Sequence, residues 1–442
     1  MGQWKQAWGE CYPHVRVQSV HGAALGKPFS PDARESIALS ADSWDVLLCN
    51  YDLLPRMGAL LARLAPRFAV CIGDEAHRLK GYRGQKARRG KQSKTLYAFV
   101  DQIPHRIALT GTPILNGPED AFGIYRFVDP SIFGDLRWRF VADWFVDVSK
   151  SRQYEILRLR KERAEEFKDK IAQWTRRFTK EDLEAMYAGE PDGLRFPKEV
   201  FKPYRVALPL EVRRAYEALK KDSIALLESG EVIERHHVLG RLLGLQMLAS
   251  GAYAETENLY KGIADDGEPI LEAIRNVTVL DMSHKFAVLD EVIDSIGPKE
   301  PLVVWAHFRH ELAALAEHLA KRGVTGSVHG GVVGAERLAV IEGFQRGTVQ
   351  YLVCQPGAAG EGLNLQRAGH DVSFSRSYSL KDWLQSNGRI PRPGSAYSVS
   401  THHVVLAEDT MDDTIYEALL GKDAEARSLT RDHLLQALRG GA

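Results

Sequence analysis

Cysteines and long apolar stretches are both scarce in this chain. Its four cysteines, at positions 11, 49, 71 and 354, do not have the spacing of a zinc site or a disulfide framework. No run of about 18 apolar residues occurs, so the sequence predicts no membrane-spanning helix. The N-terminal segment MGQWKQAWGECYPHV also lacks the apolar core of a signal peptide. These absences favour a globular protein of a reducing cytoplasm.

A phosphate-binding loop of the G-x-x-x-x-G-K-[ST] type is also missing. In the first hundred residues, Gly-Lys pairs occur at 26–27 and 90–91, but Pro28 and Gln92 follow them where the pattern needs Ser or Thr. Neither pair follows a buried strand, so we interpret both as ordinary loops. The chain therefore contains no recognisable cradle for the phosphates of a nucleotide.

Net charge is absent too, because 58 Lys and Arg residues balance 58 Asp and Glu residues. Any attraction for nucleic acid must then come from a local cluster. The segment 83–94, RGQKARRGKQSK, is such a cluster and contains no acidic residue. Its basic residues are Arg83, Lys86, Arg88, Arg89, Lys91 and Lys94. They are interpreted either as neutralising phosphates, with binding that weakens steeply in salt, or as a solvated loop.

The pattern of apolar runs divides the chain into four parts. Residues 1–145 and 283–425 alternate short apolar runs with helical segments, which predicts parallel sheets covered by helices. Residues 146–282 are charged and helix-periodic, which predicts a helical linker or insertion. Residues 426–442 are expected to form a C-terminal helix or tail. The predicted fold class is therefore α/β, with two sheet-containing lobes joined by a helical insertion.

Eight apolar runs that stop at polar, Gly or Pro residues are candidate strands. Three lie in the first lobe, at 44–54, 68–75 and 106–113, and five in the second, at 301–308, 324–331, 349–357, 371–377 and 399–406.

An acidic pair, Asp74 and Glu75, follows the second of these runs and precedes Ala76 and His77. In nucleotide hydrolysis one carboxylate holds Mg²⁺ and the next orients or deprotonates the attacking water. The alternative is that the pair stabilises the positive end of a following helix. The motif by itself does not decide between the two.

Three further segments carry side chains suited to a nucleotide site. Thr110, Gly111 and Thr112 end a strand, where they would bond the acidic site or form a turn that caps a helix. The Gly-rich segment 357–368 contains Gly360, Gly362 and Asn364, and such a loop approaches phosphates closely or is a common turn. The segment 385–395 contains Gln385, Arg389 and Arg392. Paired arginines stabilise phosphate charge or lie at the surface.

The order of these motifs resembles a superfamily-two helicase motor, most closely the Swi/Snf-related branch. The segments QWKQAWGECYPHVRVQSVHG, DVLLCNYDLL, WTRRFTKED, SHKFAVLDEVI and VVWAHFRHELAALAEHL are similar to its conserved regions, and FSRSYSLKDWLQSNGRIPRPGS to the form of phage and prophage members. The resemblance covers nearly the whole chain. It implies two RecA-like lobes, the first incomplete at its N-terminus, and an ATP-driven translocase on duplex DNA in a bacterial or phage-infected cell.

The resemblance also implies roles for individual residues. Mg²⁺ would lie at Asp74, Glu75 would activate water, and Gln385, Arg389 and Arg392 would reach the phosphates of ATP. The residues implied to couple hydrolysis to lobe movement are His77, Thr110, Gly111 and Thr112. The residues implied to contact nucleic acid are Arg83, Lys86, Arg88, Arg89, Lys91, Gly360, Gly362 and Asn364.

The sequence departs from the family at its start, since the first residues align just beyond the second conserved motif. We expect the chain to be a truncated product that lacks the phosphate-binding loop. The alternatives are a split motor, with another chain supplying that loop, and a non-hydrolysing nucleic-acid-binding or assembly protein. An RNA helicase is a further alternative. Pro391 and Pro393 also flank Arg392, which would change the shape of that loop.

Overall fold

The chain forms two units, which are described separately in a computed structural model. The first is built on Met1–Arg177 and the second on Phe178–Gly421. The structure describes residues 2–20, 30–40, 43–81, 96–97, 99–111, 114, 117–148, 157–189, 193–228, 235–263, 269–332, 334–359 and 363–421.

Besides helical residues at 96–97 and 99–100, the first unit contains seven helices and six strands among its described residues. The helices are α1 (Gly2–Cys11), α2 (Pro31–Leu39), α3 (Leu54–Leu64), α4 (Ala121–Val128), α5 (Pro130–Phe133), α6 (Arg137–Trp144) and α7 (Ala164–Trp174). The strands are β1 (Val17–Ser19), β2 (Val46–Leu48), β3 (Val70–Gly73), β4 (His105–Ala108), β5 (Phe145–Asp147) and β6 (Leu157–Leu159).

Two parallel strand pairs organise the first unit, β1 with β2 and β3 with β4. On one face of the β3–β4 pair, Cys71 and Ala108 pack against a cluster that includes Met57 and Leu61 of α3. On the opposite face, Ile72 and Ile107 lie side by side and are each 47% exposed. Among the residues that the structure describes, the pair is therefore covered on one face only, although parallel strands are normally buried on both.

Besides a helix at 411–421, the second unit contains eight helices and eight strands among its described residues. The helices are α8 (Lys180–Met186), α9 (Leu210–Glu228), α10 (Arg235–Ala249), α11 (Ser283–Ile296), α12 (Arg309–Ala320), α13 (Gly334–Arg346), α14 (Pro356–Ala359) and α15 (Leu380–Asn387). The strands are β7 (Lys198–Val206), β8 (Ala252–Ile263), β9 (Pro269–Val279), β10 (Leu302–Trp305), β11 (Thr325–Val328), β12 (Tyr351–Cys354), β13 (His370–Ser373) and β14 (Val399–Ala407).

A six-stranded parallel sheet forms the core of the second unit, in the order β11-β12-β10-β13-β14-β7. Its central strands are apolar on both faces: all four residues of β10 and of β12 are buried. Helices cover both sides, as the continuous apolar runs of the sequence predicted. The α/β fold class is confirmed, and each of the five strands expected in this lobe is present.

The segment expected to be helical, 146–282, contains strands as well as helices. Lys198–Val206 forms β7, which adds to the edge of the six-stranded sheet beside β14. Ala252–Ile263 and Pro269–Val279 form an antiparallel hairpin, β8–β9. The run KEVFKPYRV was missed because it carries four charged residues and Pro203, which an edge strand tolerates. Pairing with neighbouring strands overrides the weak local preference here.

Candidate nucleotide site

The acidic pair lies where β3 ends. Gly73 closes the strand in a confined space, because a Cβ atom there would lie 3.2 Å from the Phe127 ring and from the Tyr51 hydroxyl. The chain then turns sharply, and Glu75 adopts a left-handed backbone conformation with φ of 50°. Such a conformation is uncommon for a residue with a side chain and is found at functional sites. The turn separates the side chains of Asp74 and Glu75.

Asp74 is exposed and held by hydrogen bonds to both carboxylate oxygens. The indole Nε1 of Trp4 donates to its Oδ2 at 2.7 Å, and the backbone amide of Glu75 donates to its Oδ1 at 3.0 Å. The hydroxyl of Tyr51 donates to its backbone oxygen at 2.9 Å. Burial raises the pKa of Tyr51, and the nearby Asp74 carboxylate adds to the rise. Tyr51 therefore remains a protonated donor at neutral pH.

His77 connects the acidic pair to the neighbouring strand. Its side chain is 2% exposed, and its Nδ1 lies 3.0 Å from Glu75 Oε2 and 3.5 Å from Thr110 Oγ1. Thr110 follows the end of β4, and the backbone amides of Ala76 and Leu109 also join the two strand ends. The structure thus brings together three residues that the sequence predicted for the site, at the carboxyl ends of adjacent parallel strands.

The structure shows few contacts for the remaining predicted residues of the first unit. Gly111 is exposed, and nothing lies within 4 Å of where its Cβ would be. Thr112 lies outside the described residues. So do the basic residues Arg83, Lys86, Arg88, Arg89 and Lys91.

In the second unit, helix α15 leads into the predicted arginine loop. Gln385 lies on this helix, whose first turn is capped by the Ser379 hydroxyl accepting from the Asp382 amide at 3.2 Å. Arg389 is only 6% exposed and donates to the Leu363 carbonyl at 3.3 Å. Arg392 is partly exposed and donates to the Gly388 carbonyl at 2.8 Å. Burial lowers the pKa of Arg392.

The Gly-rich segment is described only in part. Asn364 is exposed and its side-chain amide donates to Gln366 Oε1 at 2.6 Å. The amide of Leu365 donates to the Arg389 carbonyl at 3.1 Å, which joins this segment to the arginine loop. Gly360 and Gly362 lie outside the described residues.

The oxygen ligands around Asp74 are compatible with Mg²⁺. They are too few to hold a metal ion by protein ligands alone. Within the described ranges, no group of three or more His, Cys, Asp and Glu residues is placed to hold a metal ion. Mg²⁺ usually keeps several waters and binds through one or two carboxylates together with substrate phosphates. The exposed Asp74, oriented by two hydrogen bonds, fits that requirement.

Comparison with known proteins identifies the family. Residues 1–251 match the SNF2-related domain, and residues 284–394 match the helicase conserved C-terminal domain. The chain belongs to the SNF2-related family. This membership confirms the resemblance inferred from the motifs. No helix among the residues that the structure describes is long and apolar enough to cross a membrane.

Relatives of this SNF2-related chain come from phages, plants and animals. It is 27% identical to putative protein p41 of Acyrthosiphon pisum secondary endosymbiont phage 1, over 96% of this chain and 83% of that protein. It is 23% identical to the ISWI chromatin-remodeling complex ATPase CHR11 of Arabidopsis thaliana, over 100% of this chain and 39% of the relative. It is 24% identical to the human DNA repair and recombination protein RAD54B, over 86% and 42%. The chain thus spans about two fifths of the plant and human relatives.

Among solved structures, the Sulfolobus solfataricus SWI2/SNF2 ATPase core in complex with dsDNA is 22% identical, with a TM-score of 0.39. The alignment covers 98% of this chain and 79% of that one.

Two residues at the acidic site were not predicted from the sequence. Trp4 and Tyr51 both bond to Asp74, from 70 and 23 residues away. Trp4 lies in a segment that resembles a conserved region of the family, but nothing in the local pattern indicates that its indole reaches a carboxylate.

Proposed function

We propose that this chain is the hydrolysing and coupling part of an ATP-driven DNA translocase of the Swi/Snf type. The observation that carries the proposal is the contact of His77 with both Glu75 and Thr110, which joins the carboxyl ends of two adjacent parallel strands. Ligands of open α/β sheets bind outside the carboxyl ends of the strands. Membership of the SNF2-related family supports ATP as that ligand.

In the first unit, three side chains would divide the work of hydrolysis and coupling. Asp74 would hold Mg²⁺, and Glu75 would orient and deprotonate the attacking water. Bound Mg²⁺ neutralises charge that develops on the transferred phosphoryl group. His77, held between Glu75 and Thr110, would transmit a change at the acidic pair to the end of β4, where Gly111 and Thr112 follow.

In the second unit, we assign a phosphate-stabilising role to Gln385, Arg389 and Arg392. Arg392 is the stronger candidate for the arginine that stabilises the transition state, because it is partly exposed whereas Arg389 is buried and bonded to the Leu363 carbonyl. Arginine in this role is effective because its charge is fixed and its planar donors match phosphate oxygens.

Duplex DNA is the proposed partner. The relative RAD54B is named as a DNA repair and recombination protein. The sequence supplies the basic segment 83–94, which suits contact with the phosphate backbone rather than with bases. Gly360, Gly362 and Asn364 are assigned to the same interaction. The phage relative supports the cytoplasm of a bacterial or phage-infected cell as the site of action.

ATP turnover also needs a phosphate cradle, and the 442 residues contain no G-x-x-x-x-G-K-[ST] pattern. We propose that another segment or chain supplies it. The test compares ATP hydrolysis, with and without duplex DNA, by this chain alone and by the chain joined to the segment encoded upstream. We expect negligible turnover by the chain alone and DNA-stimulated turnover when that segment carries the pattern.

A non-hydrolysing DNA-binding or assembly protein is the second candidate, favoured by the same missing pattern. It predicts that the upstream frame encodes no phosphate-binding loop and that DNA binding is unaffected by ATP. Stimulation of turnover by RNA above that by duplex DNA would instead indicate an RNA helicase.

A further inference from the structure

A buried ionic contact crosses the sheet of the second unit, outside the predicted site. His402 of β14 and Asp371 of β13 are each 1% exposed. The Nδ1 atom of His402 lies 2.9 Å and 3.1 Å from the two carboxylate oxygens of Asp371. Its Nε2 atom lies 3.5 Å from Glu199 Oε1 on the edge strand β7. One imidazole ring therefore lies between carboxylates from the two flanking strands.

The contact extends beyond these three residues at both ends. Glu199 Oε2 accepts from Lys180 Nζ of helix α8 at 2.5 Å. Asp371 Oδ2 accepts from the indole Nε1 of Trp305 on β10 at 3.2 Å. The row of polar groups thus runs from the middle of the sheet, across its edge strand, to the helix that precedes that strand.

The charges in this row favour a protonated His402. Burial lowers the pKa of His402, but the Asp371 and Glu199 carboxylates outweigh it and raise the pKa to about 9. Burial likewise raises the pKa of Glu199, and His402 and Lys180 together lower it to about 2. The next residue of the strand, His403, faces the opposite side of the sheet and interacts there with His370 and Lys202. The titratable groups that act on His402 are thus Asp371 and Glu199.

Aromatic rings connect the same imidazole to α15, the helix that leads into the arginine loop. Phe201 of β7 stacks on His402, with ring centroids 4.7 Å apart and planes at 24°. Trp383 of α15 lies against Phe201 at 5.8 Å, and Tyr416 lies against Trp383 at 5.8 Å. Helix α15 therefore packs in part against β7, which is a half-exposed edge strand with one neighbour among the described strands.

We propose that His402, as an imidazolium, is a positioning residue that clamps β7 and α8 to the sheet and so holds α15 in place. Deprotonation removes the attraction to Asp371 and Glu199, and the edge strand then detaches more readily together with the helix it supports. The contacts of His402 do not depend on the proposed function. Only the consequence of these contacts for Gln385 and the arginine loop rests on the proposed function.

The test is hydrogen exchange of the backbone amides of β7 and α15 in the full chain, without nucleotide or DNA. Rates from pH 6.5 to 10 are expressed as protection factors relative to unstructured peptides. Since the ordinary pKa of about 6.5 rises to about 9, protection is expected to fall by at least tenfold, and by up to about 150-fold, as the pH rises through this range. Both elements are expected to lose protection together.

His402→Gln is expected to lower the protection of β7 at pH 6.5 and to abolish its pH dependence. The matched control is His403→Gln on the same strand. Burial lowers the pKa of His403 to about 3, so this side chain is neutral throughout the range and its replacement should leave the pH dependence intact. Glu199→Gln is expected to reduce the fall in protection and to shift it to lower pH.

The proposal is overturned if β7 of the wild-type chain keeps constant protection up to pH 10, or if His402→Gln retains the wild-type pH dependence. It is also overturned if β7 loses protection while α15 does not. Should His402→Gln fail to fold, the titration of the wild-type imidazole by NMR decides: a pKa near 9 supports the clamp, and one at or below 6.5 contradicts it. None of these outcomes depends on ATP turnover, so the proposed function is judged separately.

Discussion

The two parallel sheets of this molecule differ in how completely they are covered. In the second unit, Leu302, Val303 and Val304 of β10 are fully buried in the middle of six strands. In the first unit, Val70 and Ile72 of β3 are 42% and 47% exposed, in a pair with β4 alone. The same type of apolar strand is therefore core in one unit and half surface in the other.

This difference matters because the acidic pair lies at the end of the less covered sheet. A strand buried on one face makes fewer apolar contacts, and such elements open locally at lower free energy. The second unit holds its arginine loop on a sheet covered on both sides. We therefore expect the acidic pair to lie on a sheet that opens locally more easily than the sheet that holds the arginine loop. The following predictions test that contrast.

The largest effect is expected from the buried ion pair of the second unit. Lys285 is fully buried, and its Nζ donates to Asp412 at 2.8 Å. Lys285→Met leaves that carboxylate without this partner in the core, which should destabilise the unit by about 3–5 kcal/mol. The control is Arg16→Met in the first unit, whose pair with Asp45 is half exposed. Denaturant unfolding followed by hydrogen exchange should show a large loss for the first variant and no measurable change for the second.

A second comparison replaces one apolar residue in each sheet by alanine. Leu302→Ala creates a cavity in β10 and should cost about 2–5 kcal/mol in unfolding free energy. Ile72→Ala removes a side chain that is already 47% exposed, so its cost should stay below about 1 kcal/mol. Equal losses in the two variants would show that the exposed face of β3 is covered in solution, and the contrast between the sheets would then be wrong.

Acid should weaken the second unit through two buried histidines. Burial lowers the pKa of His284 to about 4 and that of His403 to about 3, so both are neutral in the fold. Their stabilising contribution is complete above about pH 6.5, where the unfolded chain is also neutral, and it is lost as the pH falls toward those values. We expect a combined loss of about 2.5 kcal/mol between pH 7 and 5.5. Hydrogen-exchange protection of the β10 and β14 amides measures this loss of stability. His403→Gln should make the protection depend less steeply on pH.

The smallest effect on stability is expected at the acidic site itself. Thr110→Val removes the hydroxyl that lies 3.5 Å from His77 Nδ1, a distance at which hydrogen bonding is weak. Thermal unfolding should change by less than about 1 kcal/mol. If Thr110 couples the strand ends, DNA stimulation of ATP turnover should nevertheless fall in a complete motor. A stability loss as large as that of Leu302→Ala would mean that Thr110 is a structural residue.

Apolar runs predicted the second sheet well because its strands are buried on both faces. Runs such as PLVVWAHF contain a strand with no polar alternation, so length and punctuation were sufficient to locate it. The β7 strand could not be predicted in the same way. Its charged residues interrupt the apolar pattern, and only pairing with β14 makes it a strand. Edge strands in general carry less of the apolar signal.

The site was predicted in part, for a similar reason. Asp74, Glu75 and His77 are neighbours in sequence, and Thr110 ends the next strand, so a parallel sheet brings them together. Trp4 reaches Asp74 across 70 residues, and His402 meets Glu199 of the adjacent strand, which is far away in sequence. Contacts of this kind depend on the packing of distant segments, which local patterns do not record.

The most direct test of the central claim is DNA-stimulated ATP hydrolysis by this chain supplied with a phosphate-binding segment, compared with its Glu75→Gln variant. A matched control is Glu165→Gln, a surface residue that pairs with Lys168. The account predicts that Glu75→Gln abolishes turnover while DNA binding and unfolding temperature are retained, and that Glu165→Gln remains active. Turnover by Glu75→Gln at the wild-type rate would contradict the assignment of the acidic pair.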